Sequence, residues 1–268
     1  MPPGPVPNAA QMAEMVNTIG RQLVGMAMMV QKLKCNLYRL EAIEKLQSLG
    51  KKPVYPVEFR SQFGEDALVW ELFEGKLDGF FIEVGAFDGY NYAVTYALES
   101  LGWKGLLIEA IPERAAQCKE RRKNSRVVHA ALASKHGGEA TFSVTEDVFG
   151  GMLSYLDPNS QHAKTVSHAK KRQVTVPVTT MNELLKDHQG EIDLAVIDVE
   201  GGEVALLGGF DLHKYKPKVL LIEDNERGAN AALHNYMSMM PYVMVGWLEV
   251  NRIYVRADLA QEYAARIK

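Results

Sequence analysis

The chain has 268 residues, of which 47% are apolar and 24% charged, and its formal net charge is −3. These values are typical of a folded globular protein, and the weakly acidic charge argues against a nucleic-acid partner. No apolar run reaches the roughly 18 to 20 residues that span a bilayer, so no membrane partner is expected. Cys35 and Cys118 are too few and too far apart for a disulfide framework, and the start MPPGPVPN does not resemble a signal peptide. We therefore expect a cytoplasmic protein.

The first fifty residues carry apolar side chains at spacings that alternate between four and three. These positions are Met12, Val16, Ile19, Leu23, Met26, Val30, Leu33, Leu37 and Leu40. The heptad pattern predicts a helix or helical hairpin that ends near residue 49, just before Gly50. Met15 and Met29 widen the apolar face, so residues 1–52 are predicted to form a helical oligomerisation arm and the protein a homo-oligomer. Packing of the arm on its own domain is the alternative, and membrane-surface binding is disfavoured because the polar face is not strongly basic.

Residues 53–268 alternate between strand-like and helix-like patterns, which predicts an α/β domain with a mostly parallel sheet. The predicted strands are 79–84, 104–109, 126–132, 192–197, 218–223, 242–248 and 252–256. The predicted helices are 62–74, 91–101, 112–123, 181–187, 201–208 and 231–240. A long insertion at 134–180, with a strand pair at 140–145 and 173–179, is expected to act as a functional loop or lid.

Two predicted strands end in glutamates, Glu83 and Glu109, and the first is followed by a turn that contains Gly85 and Gly89. In an open α/β sheet the ligand lies across the carboxyl ends of the strands. Glu109 follows Gly85 by 24 residues, close to the roughly 20-residue offset at which an acid binds a ribose diol. An adenosine-containing cofactor is therefore predicted. The alternative is that Glu109 caps the helix that begins at Pro112.

The turn reads EVGAFDG and lacks the middle glycine of G-x-G-x-x-G, which disfavours a dinucleotide. A cofactor with an amino-acid cation and a sulfonium instead needs anionic partners, which Glu83 and Asp88 supply. S-adenosylmethionine fits this pattern. A nicotinamide-dependent oxidoreductase and a non-catalytic, coiled-coil-anchored cofactor-binding module are the alternative functions.

The chain also resembles the FkbM-like family of S-adenosylmethionine-dependent methyltransferases. The resemblance is carried by SQFGEDALV, GFFIEVGAFDGY, GWKGLLIEAIPE, AVIDVEGGEVALLGGF and PKVLLIEDN, between residues 61 and 225. It implies a seven-stranded class I (Rossmann-like) sheet with the last strand antiparallel, and O-methylation of a hydroxyl on a sugar, glycoside or other natural product. Ala110 departs from the family, which often has proline there.

The resemblance also implies which residues contact the cofactor. Glu83, Gly85, Asp88 and Gly89 would surround its methionine part and Glu109 its ribose. The full set is Gln62, Asp66, Glu83, Gly85, Ala86, Asp88, Gly89, Thr95, Glu109, Ala131, Leu132 and Asp198. Within it, Ala131 and Leu132 would contact the adenine, Gln62 and Asp66 would close the site, and Thr95 would begin a helix that lines it.

Methyl transfer to a hydroxyl needs an in-line approach and a group that accepts the proton. Asp198 and Glu200, after the predicted fourth strand, are the candidate catalytic acids. Glu203, one helical turn further on, is expected to be a solvated acid in the first turn of a helix, with a role at the rim as the alternative. Asp198, Asp224 and Asn225 form a candidate metal site that would suit magnesium or calcium. The histidines are weaker candidates for catalysis. His129 is expected to be a core or rim residue and His162 and His168 solvated residues of the lid, while nothing around His234 in the sequence supports a role for it.

Overall fold

The computed structural model describes residues 8–145, 168 and 170–267. The arm is one continuous helix, α1 (Ala9–Ser48), and not a hairpin. Asn8 and Gln11 form a capping box at its start, which satisfies amide groups that would otherwise lack partners. Among the described residues, no helix combines the length and the apolar character needed to cross a membrane.

A seven-stranded sheet follows. Its strands are β1 (Phe80–Val84), β2 (Lys104–Glu109), β3 (Arg126–His129), β7 (Leu194–Ile197), β8 (Val219–Glu223), β9 (Tyr242–Leu248) and β10 (Asn251–Arg256). Their order in the sheet is β3-β2-β1-β7-β8-β10-β9. The first five in this list run parallel, and β10 is antiparallel to both of its neighbours. The predicted seven-stranded fold with an antiparallel last strand is therefore confirmed.

The predicted third strand, 126–132, is broken at Ala130. Beyond the break, β4 (Ala131–Leu132) leaves the main sheet and pairs with β6 (Lys171–Thr179), which also pairs with β5 (Glu139–Thr145). The predicted strand pair in the insertion is thus confirmed. The remainder of the predicted lid, including His162, lies outside the described residues.

The helices are shorter than the patterns predicted. They are α2 (Glu65–Leu72), α3 (Tyr96–Ser100), α4 (Pro112–Arg121), α5 (Met181–Leu184), α6 (Glu203–Leu207), α7 (Leu212–Tyr215), α8 (Ala231–Ser238), a 3₁₀ turn (Ala257–Leu259) and α9 (Ala260–Ala264). The largest difference is at α3, which begins at residue 96 and not at 91. Asp88 accepts hydrogen bonds from the backbone N–H groups of Tyr90 and Asn91, and such side-chain bonds hold a segment as a loop in place of helix.

The central strands are apolar on both faces, as expected for a parallel sheet covered on each side. Ile82 and Ile197 lie in one buried cluster, whereas Phe81 and Val196, their neighbours in the chain, lie in the other. This alternation fixes the register of the strands, and the register in turn determines which side chains meet at the carboxyl ends.

Candidate active site

Four residues come directly after the last positions at which the central strands β2, β1, β7 and β8 pair with one another. The last paired residues, in register from β2 to β8, are Ile108, Val84, Ile197 and Ile222. The next residue of each segment is therefore Glu109, Gly85, Asp198 and Glu223. The strand order reverses between β1 and β7, and this reversal forms the crevice in which ligands of open α/β sheets bind.

Close backbone approach explains both glycines of the turn after β1. Gly85 has φ +81°, and a Cβ there would lie 1.9 Å from the carbonyl oxygen of Asp198. Gly89 has φ +75°, and a Cβ there would lie 2.8 Å from Sγ of Cys118. Both positions therefore require glycine. Gly85 is also exposed, so its backbone is accessible to a ligand.

Glu83 is turned toward the protein interior. Its carboxylate accepts hydrogen bonds from the N–H of Val94 at 2.8 Å and from the hydroxyl of Thr95, and the guanidinium of Arg122 lies 3.6 Å away. Arg122 also donates to Glu99 at 2.6 Å, and all of these side chains are buried. Thr95 does begin α3, as predicted, but it does so within this buried network.

The carboxylate of Asp88 is occupied by its own turn. It accepts hydrogen bonds from Tyr90 and Asn91 and forms an ion pair with Arg121 at 2.6 Å. Burial acts to raise its pKa, but the bonds from Arg121 and Asn91 outweigh it and hold the pKa below its usual value. Asp88 is therefore ionised, and its hydrogen bonds stabilise the glycine turn.

Glu109 joins the two turns that border the crevice. Its carboxylate accepts hydrogen bonds from Phe87 N–H at 2.8 Å and from Ile111 N–H at 2.7 Å. Ile111 is the N-cap residue of α4, so the predicted capping contact is present. Burial raises the pKa of Glu109 to about 7, against the effect of these bonds. An ionised carboxylate has about four acceptor positions, so Glu109 keeps acceptor capacity beyond these bonds.

The other predicted cofactor residues occupy different settings. Asp66 is fully buried and accepts hydrogen bonds from Ser61 and from the backbone of Arg60, and burial raises its pKa to about 6. Gln62 is exposed and precedes α2, so it is not in the predicted helix. The remaining three, Ala86, Ala131 and Leu132, are buried.

The rim of β7 and β8 holds three carboxylates. Asp198, Glu200 and Glu223 each offer an oxygen atom, and these atoms lie within 4.8 Å of one another. The protein atoms packed around Asp198 raise its pKa to about 8, and the charge of Glu200 adds to the effect. Asp198 also keeps exposed surface, so water screens part of this shift. Burial, followed by the charge of Asp198, raises the pKa of Glu223 well above its usual value.

This cluster differs from the predicted metal set. Asp224 turns away from it and forms a buried ion pair with Arg252, with Nε at 2.7 Å. Asn225 reaches the cluster only as a donor, through its amide nitrogen, 3.0 Å from Glu200. Sequence reasoning missed Glu223. The signal that identifies it is its register position beside Asp198.

Glu203 shapes the loop that carries the rim acids. It is only 4% exposed and accepts hydrogen bonds from Gly201 N–H at 3.0 Å and Val199 N–H at 3.4 Å. The expectation of a solvated acid is therefore wrong. Glu200 lies within this loop at φ +55°, a conformation that costs free energy in a non-glycine residue and is common at functional sites.

Among the described residues, no histidine belongs to the cluster of rim acids. His129 contacts the carbonyl oxygen of Ala110 through Nε2 at 3.0 Å. His168 and His234 are exposed.

The fold, the glycine turn and the acids at the switch point define a class I methyltransferase architecture. A family model described as the methyltransferase FkbM domain matches residues 83–244. The chain belongs to this family. The matched region contains Glu109, Gly85, Asp198 and Glu223, the four residues at the carboxyl ends of the central strands.

Solved structures show more distant similarity. The methyltransferase domain of METTL16 is 12% identical with a TM-score of 0.42, and the alignment covers 84% of this chain and 77% of the METTL16 chain. A human methyltransferase 10 domain containing protein is 12% identical with a TM-score of 0.40, and the alignment covers 85% of this chain and 94% of that protein. A methyltransferase from Podospora anserina bound to S-adenosylhomocysteine is 12% identical with a TM-score of 0.41, and the alignment covers 95% of this chain and 98% of that enzyme. A comparison with curated proteins finds no significant match.

Proposed function

We propose that the protein is an S-adenosylmethionine-dependent O-methyltransferase that acts on a hydroxyl of a sugar, glycoside or other natural product. The observation that carries the proposal is the row formed by Glu109, Gly85, Asp198 and Glu223 at the switch point of an FkbM-family domain. Glu109 and the glycine turn provide the cofactor side of this row. Asp198 and Glu223, with Glu200 beside them, provide the acceptor side.

The proposed reaction is a direct displacement. The acceptor oxygen attacks the methyl carbon of the sulfonium, an O–C bond forms, and the C–S bond breaks. The sulfur keeps the electron pair of that bond and becomes the thioether of S-adenosylhomocysteine. Asp198 orients the hydroxyl, and Glu200 receives its proton. Positioning and proton transfer are the two contributions that these side chains can make.

Glu109→Ala should weaken cofactor binding by about 1 to 3 kcal/mol, because the ribose hydroxyls lose a charged acceptor. This corresponds to roughly a 5- to 150-fold increase in Kd. Calorimetry with S-adenosylhomocysteine measures the change, and thermal unfolding shows whether the variant folds. The exposed Glu120, on the outer side of α4, provides the control substitution Glu120→Ala.

Two results would contradict the cofactor assignment. One is wild-type protein that binds NAD and not S-adenosylhomocysteine, which would favour the oxidoreductase alternative. The other is an unchanged Kd in folded Glu109→Ala, which would limit Glu109 to holding the backbone of Phe87 and Ile111.

We also propose that α1 joins two copies of the chain. Its last third docks on the rest of its own chain: Lys34 and Tyr38 contact Glu71, and Ala42 and Leu46 are buried. The predicted stripe from Met12 to Leu40 occupies a different face, about a third of a turn away. Its nine side chains are each between 49% and 67% exposed.

A second copy of the chain is the partner that suits this stripe. Contiguous exposed apolar surface of this kind marks an interaction site, and its heptad spacing is that of paired helices. Between residues 9 and 31 the helix carries only Glu14 and Arg21, so two copies meet without net repulsion. A membrane-surface helix needs a basic polar face, which this segment lacks.

Deletion of residues 1–30 should convert an oligomer into a monomer that still binds cofactor. The cut lies before Ala42 and Leu46, which belong to a buried cluster with Trp70. Leu23→Glu on the stripe should have the same effect, whereas Asn17→Glu, on the opposite side of the helix, should not. Light scattering at micromolar concentration decides the matter, and a monomeric full-length chain would disprove self-association.

A further inference from the structure

The carboxylate of Glu223 is buried at the rim of the sheet, beside the carboxyl groups of Asp198 and Glu200. The residue is 5% exposed, and its buried Oε2 has no hydrogen-bond partner among the described residues. A buried carboxylate oxygen without a partner is costly, since it has lost its contact with water. Its neighbours Asp198 and Glu200 are also carboxyl groups, with ligand atoms within 4.8 Å, so ionisation of the whole cluster is costly without a cation.

We infer that Asp198, Glu200 and Glu223 bind one divalent cation of the hard, oxygen-preferring class, such as Mg²⁺ or Mn²⁺. The cation gives the buried oxygen of Glu223 a partner and neutralises the charge of the cluster. Each residue contributes one oxygen, and water or the acceptor hydroxyl completes the coordination shell. All three ligand atoms are carboxylate oxygens, which favour Mg²⁺, Ca²⁺ and Mn²⁺ over softer metals.

The backbone of the described chain fixes all three ligands. Asp198 and Glu223 follow directly after the paired residues Ile197 and Ile222 of neighbouring strands. Glu200 has a left-handed backbone conformation, and its carboxylate accepts a hydrogen bond from the side-chain amide of Asn225. Asp224 and Arg252 pair with each other on the other side of β8, so Arg252 is engaged away from the cluster.

The inference rests on the proposed function, because it gives the cation a place in that reaction. A cation at this rim would bind the acceptor hydroxyl and lower its pKa. The proton of the hydroxyl then passes to Glu200. The methyl transfer is the same displacement as described above, in which the O–C bond forms and the C–S bond breaks.

Calorimetric titration of the full chain with Mn²⁺, after chelation and dialysis, tests the site. We expect saturable binding of one ion per chain, confirmed by the electron paramagnetic resonance signal of bound Mn²⁺, with Mg²⁺ competing. Glu223→Gln should weaken binding by about tenfold or more, since one charged ligand is lost. The control Glu226→Gln removes the same charge from the exposed loop three residues further on and should leave the Kd unchanged.

Absence of saturable Mn²⁺ binding to the wild-type chain would overturn the inference, and so would equal binding by wild type and folded Glu223→Gln. Binding of S-adenosylhomocysteine to the metal-free protein is measured in parallel. If the cofactor binds and Mn²⁺ does not, the cation site fails while the proposed function stands. If Mn²⁺ binds and the cofactor does not, the proposed function fails.

Discussion

Asp198→Asn should lower methyl-transfer turnover by about 10²- to 10⁴-fold, the usual contribution of a positioned acid or base. The same loss is expected if the residue orients the hydroxyl or if it binds a cation, because the amide provides neither the charge nor the second acceptor oxygen. The rate is measured with labelled S-adenosylmethionine and an acceptor identified by screening sugars and glycosides.

The fold should survive this substitution, and its free energy of unfolding should stay the same or rise. Asp198 is exposed in part and lies within 4.8 Å of two other carboxyl groups, so a neutral asparagine removes the cost of ionising a third carboxyl group in this cluster. Affinity for S-adenosylhomocysteine should change little. Glu226→Gln is again the control, and turnover of Asp198→Asn within tenfold of wild type would remove Asp198 from the mechanism. Addition of EDTA to the wild-type enzyme then distinguishes the two roles, since only a cation site is sensitive to a chelator.

Most strands of the main sheet were predictable because they are apolar runs that end at a charged residue or a glycine. Gly85 and Glu109 could be found in the same way, from their positions at the ends of two such runs. The break in the third strand could not. Ala131 and Leu132 are as apolar as the residues before them, and only their pairing with Val178 and Thr179 shows that they belong to a second sheet.

The acceptor side was predictable only in part. Glu223, Asp224 and Asn225 follow one another after an apolar strand, and their composition does not tell which of them reaches the rim. Successive side chains of a strand point to opposite faces of the sheet. Glu223 therefore lies beside Asp198, whereas Asp224 forms an ion pair with Arg252. The alternation along β8 places Glu223 and Asp224 on opposite faces, but the pairing of β8 with β7 is needed to show which of the two lies beside Asp198.

The sequence does not indicate that Arg122 is buried, because the residue lies in the charged run KERRKN and resembles a surface residue. In the fold it is only 1% exposed. Its guanidinium donates to Glu99 at 2.6 Å, to the hydroxyl of Thr95 at 2.8 Å and to the carbonyl oxygen of Gly89 at 3.2 Å. Burial acts to lower its pKa, but the charges of Glu83 and Glu99 outweigh it and raise the pKa above its usual value. The residue is therefore a buried cation that compensates two buried carboxylates.

Arg122→Met should lower the free energy of unfolding by about 3 to 5 kcal/mol, the usual cost of removing one partner from a buried ion pair. Glu83 and Glu99 would be left without their counter-charge, and the carbonyl of Gly89 would lose a donor. Urea unfolding measures the loss. The control Lys123→Met removes an exposed charge from the next position and should change stability by no more than about 0.5 kcal/mol.

The same substitution should also weaken cofactor binding, although Arg122 lies behind the crevice. Glu83 and Thr95 hold the loop that contains Gly85 and Gly89, and both depend on the guanidinium for their orientation. The double variant Arg122→Met/Glu99→Gln should recover part of the lost stability, because it also removes one of the uncompensated charges. Cofactor affinity should recover less, since Glu83 would still lack its partner. A stable Arg122→Met protein with unchanged affinity would show that the loop is held without the buried ion pair.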